Sequence, residues 1–483
     1  MPLVRLLVSG LLLAAVALGL SQALAALRLE LALGLAFVVA VFIFVFVRSD
    51  AGLYLVLVSM LLSPEFVVGG RGLAEGRTVV VRLEDLLLIA IALSWFAKMA
   101  VNKEMGLVVK TPLNRWISTY CLTTLLATLL GYLTGTVRTA AGFFYVLKYV
   151  EYFVVYYMTV NNLRDRAHAW RLVTAAFLTA AIVSLVGAAQ IPSGQRVSAP
   201  FEGEVGEPNT LGGYLLFMMA VAAGLALETR RLGTRAWTLA LLGLMTLTFL
   251  FTLSRASYLG LVPMVVALAL LSTRRRLLVA ALAVGVLVAP LALPTLLPRA
   301  VVQRVRYTFE PEPGQATVRL GGVAFDPSTS ERLIAFQRAL EGWWHRPILG
   351  YGVTGYRFMD AQYARALVET GVVGLAAFAG LLTAVLRAGL ASLRALRDDD
   401  RGLALGFVAG TVGLLFHAVG ANTFIIVRIM EPFWFFAGVV VALPTLAPAG
   451  AQAPAPRPSL GAPAPARAPV GPAPRPLGRW RPA

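Results

Sequence analysis

The chain has 483 residues, of which 58% are hydrophobic and only 14% are charged. Together with a mean hydropathy of +0.78, this composition excludes a soluble globular protein and indicates a polytopic helical membrane protein. The net charge of +18 would favour nucleic-acid binding in a soluble protein. Here we expect no nucleic-acid partner, because short cytoplasmic loops collect Lys and Arg. The single cysteine, Cys121, excludes an intramolecular disulfide and a metal–thiolate cluster.

Apolar stretches long enough to cross about 30 Å of hydrocarbon recur along the chain. We predict an all-α membrane domain over residues 1–446, with about twelve to fourteen transmembrane helices. The second and third spans, or the ninth and tenth, are candidates for re-entrant pairs, because runs of about 17 residues are borderline for crossing. The predicted spans are residues 3–24, 29–47, 52–68, 79–97, 116–135, 141–160, 172–190, 211–226, 237–253, 258–271, 277–297, 363–386, 403–419 and 429–441.

Basic clusters in the connecting loops predict the orientation of the chain. They fall on one side when the spans alternate, and the positive-inside rule makes that side cytoplasmic, together with both termini. The predicted cytoplasmic loops are 98–115, 164–171, 230–235, 274–276 and 387–401. The Pro/Ala/Arg-rich tail, 447–483, is predicted to be a disordered cytoplasmic extension.

The opposite, exoplasmic side receives the longest loop, 298–362, in which we expect short helices. The other predicted exoplasmic segments are 64–82, 196–209, 254–255 and 422–428. Nearly every arginine that departs from the positive-inside bias lies on this side. Such a convergence of cations indicates an anionic substrate there.

The longest polar interruption, residues 328–374, is predicted to be the working loop. Ser328 and Glu331 have capping-box spacing, so we expect a helix to begin there with Arg332 in its first turn. A cation at that position is favourable only if an anion lies between it and the helix N-terminus. Pro347 should end this helix, and a glycine-rich turn then leads to a second helix that begins near Asp360. The two helix starts would point Arg332 and Asp360 into one volume.

Three exoplasmic arginines, Arg196, Arg255 and Arg332, are candidates for a pyrophosphate clamp. Guanidinium groups bind phosphate oxygens in a two-pronged geometry. The alternative for each is an interfacial arginine whose long side chain reaches the membrane surface.

Asp360 also has two interpretations. It is either the N-cap of the following helix or a general base toward a sugar hydroxyl. Position 363 is Tyr, so no capping box competes for the carboxylate. Glu369 lies farther along the same helix with Gly371 and Gly374, which we expect to pack closely against another helix.

Other polar residues are expected to be structural. Lys148 and Glu151 lie three residues apart within a span and predict an ion pair, with a proton relay as the alternative. Three aspartates at 398–400 match a short acidic metal-binding pattern, but a solvated cytoplasmic turn is favoured. His345 and His417 have no second ligand at metal spacing. We therefore expect no metal site and no cofactor.

A series of short motifs occurs in a fixed order at 196–202, 208–214, 253–255, 330–332, 345–352, 360–363 and 369–371. This series resembles the O-antigen ligase and O-antigen polymerase family of bacterial membrane glycosyltransferases. The resemblance covers about residues 196–374 and excludes the tail. Residues 64–66, 148–152, 422–424, 428 and 431–432 resemble the polymerase-type branch.

The resemblance implies a metal-independent, inverting transfer from a polyprenyl-diphosphate-linked oligosaccharide donor to a glycan acceptor. It implies a multi-pass protein of the bacterial inner membrane whose active site faces the periplasm. Arg255 and Arg332 match the family's diphosphate-binding arginines. The family's ligases have a histidine where this chain has Asp360, which favours a polymerase and, with it, a chain-length regulator protein as a partner.

We predict Asp360, Arg332 and Arg255 as the catalytic residues. The predicted substrate-binding residues are Arg196, Asn209, Tyr363, Glu369, Arg82 and Arg428. One alternative is a ligase that moves finished glycan onto lipid or protein. The other is a flippase for lipid-linked oligosaccharide, which should carry polar groups through the midplane and often shows repeated halves. Here the cations gather at one end and no repeat is visible, so an enzyme is favoured.

Overall fold

The computed structural model of the protein describes residues 29–63, 65–67, 80–101, 109–200, 206–284, 297–310, 317–320 and 323–446. Several predicted features lie outside these residues. They are the span 3–24, both termini, the tail 447–483, most of the segment 64–82 and the second half of the span 277–297.

Helices dominate the described residues. The first group is α1 (Leu29–Val47), α2 (Ser49–Leu62), α3 (Leu83–Val101), α4 (Asn114–Leu133), α5 (Ala141–Asn162), α6 (Arg166–Gln190), α7 (Pro208–Glu228), α8 (Leu232–Phe251) and α9 (Arg255–Leu271). The second group is α10 (Arg299–Phe309), α11 (Pro327–His345), α12 (Gln362–Ala395), α13 (Asp398–His417) and α14 (Val427–Ala442). Residues 275–284 are also helical. Short 3-10 turns occupy Ile191–Ser193, Thr423–Ile425 and Leu443–Thr445.

The prediction of an all-α polytopic membrane protein is confirmed. Six helical segments of the described residues are long and apolar enough to cross a membrane, and α1, α2, α3 and α9 contain shorter apolar stretches. The total of twelve to fourteen spans stays a prediction. The six long segments are Asn114–Leu133, Arg166–Ser193, Pro208–Glu228, Leu232–Phe251, Gln362–Ala395 and Val427–Thr445.

Two predicted spans include short strands that the sequence analysis missed. The strands β1 (Glu65–Val67) and β2 (Val80–Arg82) pair antiparallel, with Phe66 opposite Val81. Residues 52–68 and 79–97 were predicted to be wholly helical, which is wrong at these strands. Apolar runs of this length do not distinguish strand from helix by periodicity. A second hairpin, β3 (Arg319–Leu320) with β4 (Val323–Ala324), lies in the long loop.

The helix α7 runs from one end of the described bundle to the other. Its 21 residues span about 30 Å, close to the thickness of the hydrocarbon core. At its first turn, Asn209 accepts a hydrogen bond from Ser254 at the start of α9. At its last residue, Glu228 accepts hydrogen bonds from Ser272 and Thr273 and pairs with Arg401. The Glu228 end therefore carries the basic loops that the charge pattern assigns to the cytoplasm.

The centre of the bundle is built by α7, α13 and α14. The apolar windows of α7 and α14 are each 89% buried. Small residues let α13 approach closely: a Cβ at Gly224 would lie 2.4 Å from the Gly406 nitrogen, and one at Gly260 would lie 2.6 Å from the Gly413 oxygen. Such contacts are typical of helix packing in membranes, where dispersion contacts drive association.

The helix α12 is broken at Gly371, whose backbone has φ +65° and ψ −168°. The turn that precedes α12 fills the break. Pro347 and Ile348 accept hydrogen bonds from Val372 and Val373 at 2.8 and 3.2 Å. In return, Tyr351 and Gly352 donate to Val368 and Glu369 at 3.0 and 2.8 Å.

This break corrects the role predicted for two glycines. Gly371 was expected to allow close packing between helices, but it allows a left-handed backbone that a side chain disfavours. A Cβ at Gly374 would instead meet the side chain of Thr370 in its own helix, 2.0 Å away. The glycine pattern therefore marks a broken helix and not a helix–helix contact.

We expect Gly371→Ala to destabilise the protein strongly. Its Cβ would lie 2.2 Å from the Ile348 oxygen, and the positive φ adds strain, for a total of roughly 2 to 5 kcal/mol. Gly243→Ala is the matched control, because a Cβ there meets nothing within 4 Å and alanine is the better helix former. Thermal unfolding in detergent measures both. Equal melting temperatures for the two variants would contradict the assigned role of Gly371.

Candidate functional site

The turn between α8 and α9 is the meeting point of two arginines from other segments. Leu253 in this turn has φ +48°. Arg196 donates from Nε to the Thr252 oxygen at 3.1 Å and from Nη2 to the Leu253 oxygen at 3.3 Å. Arg304 of α10 donates from Nε to the same Leu253 oxygen at 3.3 Å. Two guanidinium groups therefore converge on one carbonyl.

This arginine cluster holds positive charge that described carboxylates do not balance. Burial, together with the nearby charges of Arg304, Arg255 and Arg332, lowers the pKa of Arg196 to about 10. Burial and the charges of Arg255 and Arg332 also lower the pKa of Arg304, and the nearby Asp326 carboxylate offsets this lowering only in part. Among the described residues, neither Arg196 nor Arg304 forms a salt bridge. Like charges held this close favour a bound anion.

Arg255 is held differently, because both of its terminal nitrogens are bound to Asp326. Nη1 contacts Oδ1 and Nη2 donates to Oδ2 at 2.7 Å, and Nη1 also donates to Thr308 of α10 at 3.1 Å. The Asp326 carboxylate is buried. Burial raises its pKa, but hydrogen bonds from Arg255 and Thr329 outweigh burial and hold the pKa below its usual value.

Asp326 also corrects the predicted start of the loop helix. It is the N-cap of α11 and accepts a hydrogen bond from the Ser328 nitrogen at 3.2 Å, and Pro327 occupies the first helical position. The predicted capping box of Ser328 and Glu331 is therefore wrong. Aspartate at the cap followed by proline is a known start signal, so the sequence contained it. Arg332 consequently lies two residues, about half a turn, deeper in the helix than expected.

Arg332 and Asp360 form an ion pair across the loop. Arg332 Nη2 lies 3.3 Å from Asp360 Oδ2, and Nη1 donates to Ser328 at 2.9 Å. Its Nε is buried without a hydrogen-bond partner among the described residues. A buried donor of this kind is costly unless a ligand or water accepts its hydrogen.

Asp360 is not a helix cap. The N-cap of α12 is Ala361, with no side-chain cap bond, so the predicted capping role is wrong. Its carboxylate, which is 45% exposed, contacts Arg332 and lies 3.4 Å from Nδ2 of Asn422. Asn422 also donates to the Met359 oxygen at 2.8 Å. The carboxylate is thus positioned by side chains and open to solvent.

Arg332 and Asp360 line one cleft of about 230 Å³, in agreement with the prediction that both point into one volume. The cleft lies between α11 and the residues that lead into α12. Its lining is Ser328, Glu331, Arg332, Ala335, Arg338, Arg357, Phe358, Met359 and Asp360. Exposed arginines, an exposed aromatic ring and two accessible carboxylates, Glu331 and Asp360, fit an anionic sugar compound.

Three other predicted substrate-binding residues use their polar groups within the fold. Asn209 accepts from Ser254 at 2.8 Å, and Tyr363 donates its hydroxyl to the Leu415 oxygen at 2.7 Å. Glu369 pairs with Arg365 at 3.0 Å and accepts from the Thr354 nitrogen at 3.1 Å. Glu369 lines a separate, very small cavity. Direct substrate contact by these three residues stays a prediction.

The last two predicted binding residues lie on other segments. Arg428 is completely buried at the start of α14, where it donates to the Pro200 and Ser63 oxygens and lies 3.7 Å from Glu84. The backbone of Arg82 ends β2 opposite Glu65. Arg428 does not line the cleft of Arg332 and Asp360.

The remaining motifs are structural in the described residues. Lys148 and Glu151 form the predicted ion pair at 3.0 Å. The aspartates at 398–400 are not a solvated turn: they begin α13 and pair with Arg230, Arg231 and Arg166. No group of three or more His, Cys, Asp or Glu suited to a metal ion occurs among the described residues.

Arg304 and Asp326 were not predicted from the sequence, and Asn422 was given no role. Arg304 lies on the strongly amphipathic helix α10, where charged residues are ordinarily solvated, so no local signal distinguishes it from Arg299 or Arg306. The Asp-Pro pair was a local signal for Asp326 as a helix cap, but nothing in the local sequence indicated that Asp326 would bind Arg255. Asn422 was noted within a motif, yet its proximity to Asp360 depends on the packing of α12 against α13 and α14.

Residues 240–379 match the family model described as O-antigen ligase. These residues are therefore similar to an O-antigen ligase domain. The match includes Arg332 and Asp360 of the cleft, Arg304 of the arginine cluster, and the pair of Arg255 and Asp326. It supports the predicted O-antigen ligase and polymerase family, and with it a glycosyltransferase-type enzyme of polysaccharide biosynthesis in a bacterial membrane. No curated protein matches the chain significantly.

We expect Asp326→Asn to lower the thermal stability of the protein. Asparagine keeps the helix cap but leaves the partly buried Arg255 without its counter-charge, which commonly costs on the order of 3 kcal/mol. Because the folded-state pKa of Asp326 is depressed, its contribution is present above about pH 4 and is lost as the pH falls through the folded-state pKa.

Melting temperatures measured between pH 3.5 and 7 test this prediction. The difference between wild type and Asp326→Asn should be constant above about pH 5 and should narrow below about pH 4. Glu310→Gln is the control, because Glu310 pairs with Arg306 on the exposed surface and such pairs contribute little. A pH-independent difference would refute the charge-based account.

Proposed function

We propose that the protein is a polysaccharide polymerase of the O-antigen type, which transfers glycan from a polyprenyl-diphosphate-linked donor to a sugar hydroxyl. One observation carries the proposal: an accessible carboxylate, Asp360, and an arginine with an unused donor, Arg332, line one cleft beside a cluster of unbalanced arginines. A single displacement of a diphosphate leaving group requires both a base for the acceptor hydroxyl and cations for the departing diphosphate.

In this proposal the arginine cluster binds the diphosphate. Arg332 lines the cleft, and its positive charge is near enough to the cluster to help lower the pKa of Arg196 and of Arg304. Its free Nε and the remaining donors of Arg196 and Arg304 would bind phosphate oxygens as negative charge develops on the leaving group. Arg255 would hold α11 in place through Asp326, and its own contact with phosphate would require that pair to open.

Asp360 is the proposed general base. Its carboxylate accepts the proton of the acceptor hydroxyl while the hydroxyl oxygen attacks the anomeric carbon of the donor. The bond from that carbon to the diphosphate oxygen breaks, and polyprenyl diphosphate leaves with the electron pair. One displacement inverts the anomeric configuration. Phe358 lies in the same cleft with about half of its side chain exposed and with the Arg365 guanidinium over its ring, and its exposed surface would contact a sugar ring.

The polymerase is favoured over a ligase by the aspartate at a position where the resemblance places a histidine in ligases. Purified protein incubated with polyprenyl-diphosphate oligosaccharide distinguishes the candidates. A ladder of products supports the polymerase, one transfer to a separate acceptor supports the ligase, and movement across vesicles without transfer supports a flippase. A chain-length regulator stays a predicted partner, which would change the length distribution of that ladder.

We expect Arg332→Lys and Asp360→Asn to reduce turnover in a protein that remains folded. Lysine keeps the charge but loses the two-pronged geometry, and loss of one such group commonly costs about a hundredfold in rate. Asparagine cannot accept the proton, so a loss on the order of a hundredfold or more is expected. The readout is the initial rate of ladder formation at saturating donor.

Arg338→Lys is the matched control, because Arg338 lines the same cleft but is exposed and forms no salt bridge among the described residues. It should retain turnover within about threefold of wild type. Wild-type rates for both Arg332→Lys and Asp360→Asn, at normal thermal stability, would place the chemistry elsewhere.

We further propose that transfer is independent of divalent metal ions, because guanidinium groups can neutralise the departing diphosphate. Transfer by the purified enzyme should therefore continue at an unchanged rate in excess EDTA. Loss of activity in EDTA that Mg²⁺ or Mn²⁺ restores would disprove this part of the proposal and leave the roles of Asp360 and Arg332 to the variants above.

A further inference from the structure

A second, larger cleft lies at the opposite end of α12 from Asp360. It has a volume of about 780 Å³ and forms where α6, α8 and the junction of α12 with α13 meet. Its polar lining consists of arginines, aspartates and threonines, together with two tryptophans. The lining residues are Arg166, Ala167, Trp170, Thr174, Arg230, Arg231, Thr234, Trp237, Ala395, Leu396, Arg397 and 398–400.

The arginines of this cleft keep most of their donors available. Arg230 pairs with Asp398 at 2.6 Å and Arg231 pairs with Asp399 at 3.8 Å, and the two arginine side chains are 86% and 81% exposed. A guanidinium has five N–H donors, so each can bind a second acceptor. Among the described residues, Arg397 has no carboxylate within ion-pair distance. Four arginines against three aspartates leave a net positive cleft.

The aspartates are engaged in positioning the cations. Asp400 accepts a hydrogen bond from the indole of Trp170 at 2.8 Å and pairs with Arg166 at 3.5 Å. Both partners belong to the first turn and a half of α6. Carboxylates held in this way orient the arginines and leave the outer donors facing the cleft.

The apolar side of the cleft continues into the lipid-facing surface. Trp237 is 40% exposed and packs edge-on against Phe177, with ring centroids 5.4 Å apart. Tryptophans concentrate at the membrane–water interface, where one part of the ring is wet and the rest apolar. Below it, the exposed side chains of α6 and α8 are aliphatic, and they include Leu178, Ile182, Leu185, Leu239 and Leu247.

We propose that this cleft binds an anionic glycerophospholipid from the surrounding membrane, with the phosphodiester on the arginines and the acyl chains along α6 and α8. A soluble anion would use the arginines alone. Only an amphiphile uses the cationic rim, the interfacial indoles and the aliphatic surface together. In the predicted orientation this is the cytoplasmic leaflet. The site is separate from the proposed transferase cleft and does not depend on that function.

Native mass spectrometry of the delipidated, full-length protein tests the site with phosphatidylglycerol, phosphatidylcholine and soluble glycerol 3-phosphate. We expect saturable binding of phosphatidylglycerol at least about tenfold tighter than of phosphatidylcholine, and about fivefold weaker binding for each arginine removed. One variant is the double substitution Arg230→Gln with Arg231→Gln, and the other is Arg397→Gln. The second variant breaks no ion pair of the described residues, so a loss of affinity in it is not explained by misfolding.

The matched control is Arg274→Gln with Arg275→Gln, which removes two exposed charges at the same end of the bundle that do not line the cleft. It should change the affinity less than twofold. Any one of four results would overturn the lipid site. They are equal affinity for the two lipids, an equal loss of affinity in the control pair, an unchanged affinity in Arg397→Gln, and binding of glycerol 3-phosphate as tight as that of phosphatidylglycerol. None of these results requires glycan transfer, so the test stands apart from the transferase assay.

Discussion

Every backbone polar group in a hydrocarbon environment must find its hydrogen bonds within the protein. The break of α12 at Gly371 leaves backbone groups near the cleft that need partners outside the helix. The turn at 347–352 meets this need by exchanging hydrogen bonds with both halves of the broken helix. The loop is thereby attached to a candidate membrane helix. Because residues 357–360 follow directly, the attachment also sets the wall of the cleft that contains Asp360.

Charge compensation explains why the arginines near this cleft are not equivalent. Arg255 has a buried counter-ion that binds both of its terminal nitrogens, so it connects α9 with the long loop. Arg332 shares a longer contact with a carboxylate that remains partly exposed. Arg196 and Arg304 contact only backbone oxygens among the described residues. An incoming diphosphate would find its strongest attraction where compensation is least.

The helix α12 connects two clefts of different character. Its 34 residues cover about 50 Å if extended as one helix, with Asp360 before its first residue and Arg397 after its last. The first cleft combines an accessible carboxylate with cations and suits chemistry. The second has carboxylates that are already paired, and it opens onto an apolar surface, so it suits a resident lipid. Arginines and aspartates therefore have different roles in the two clefts, because their burial and their ion-pair partners differ.

The shared volume of Arg332 and Asp360 was predicted from two helix starts that the structure places at other residues. Composition, apolar length and the placement of basic residues were sufficient to predict a polytopic helical protein, most helix positions and the sorting of basic loops to one end. These properties depend on neighbours along the chain. The tertiary structure alone decided that Asp326 binds Arg255, 71 positions away, that Arg304 joins the cluster, that Gly371 breaks α12, and that Asp360 is no cap. Each depends on which segments pack together, and the periodicity of a single segment does not encode its partner across the bundle.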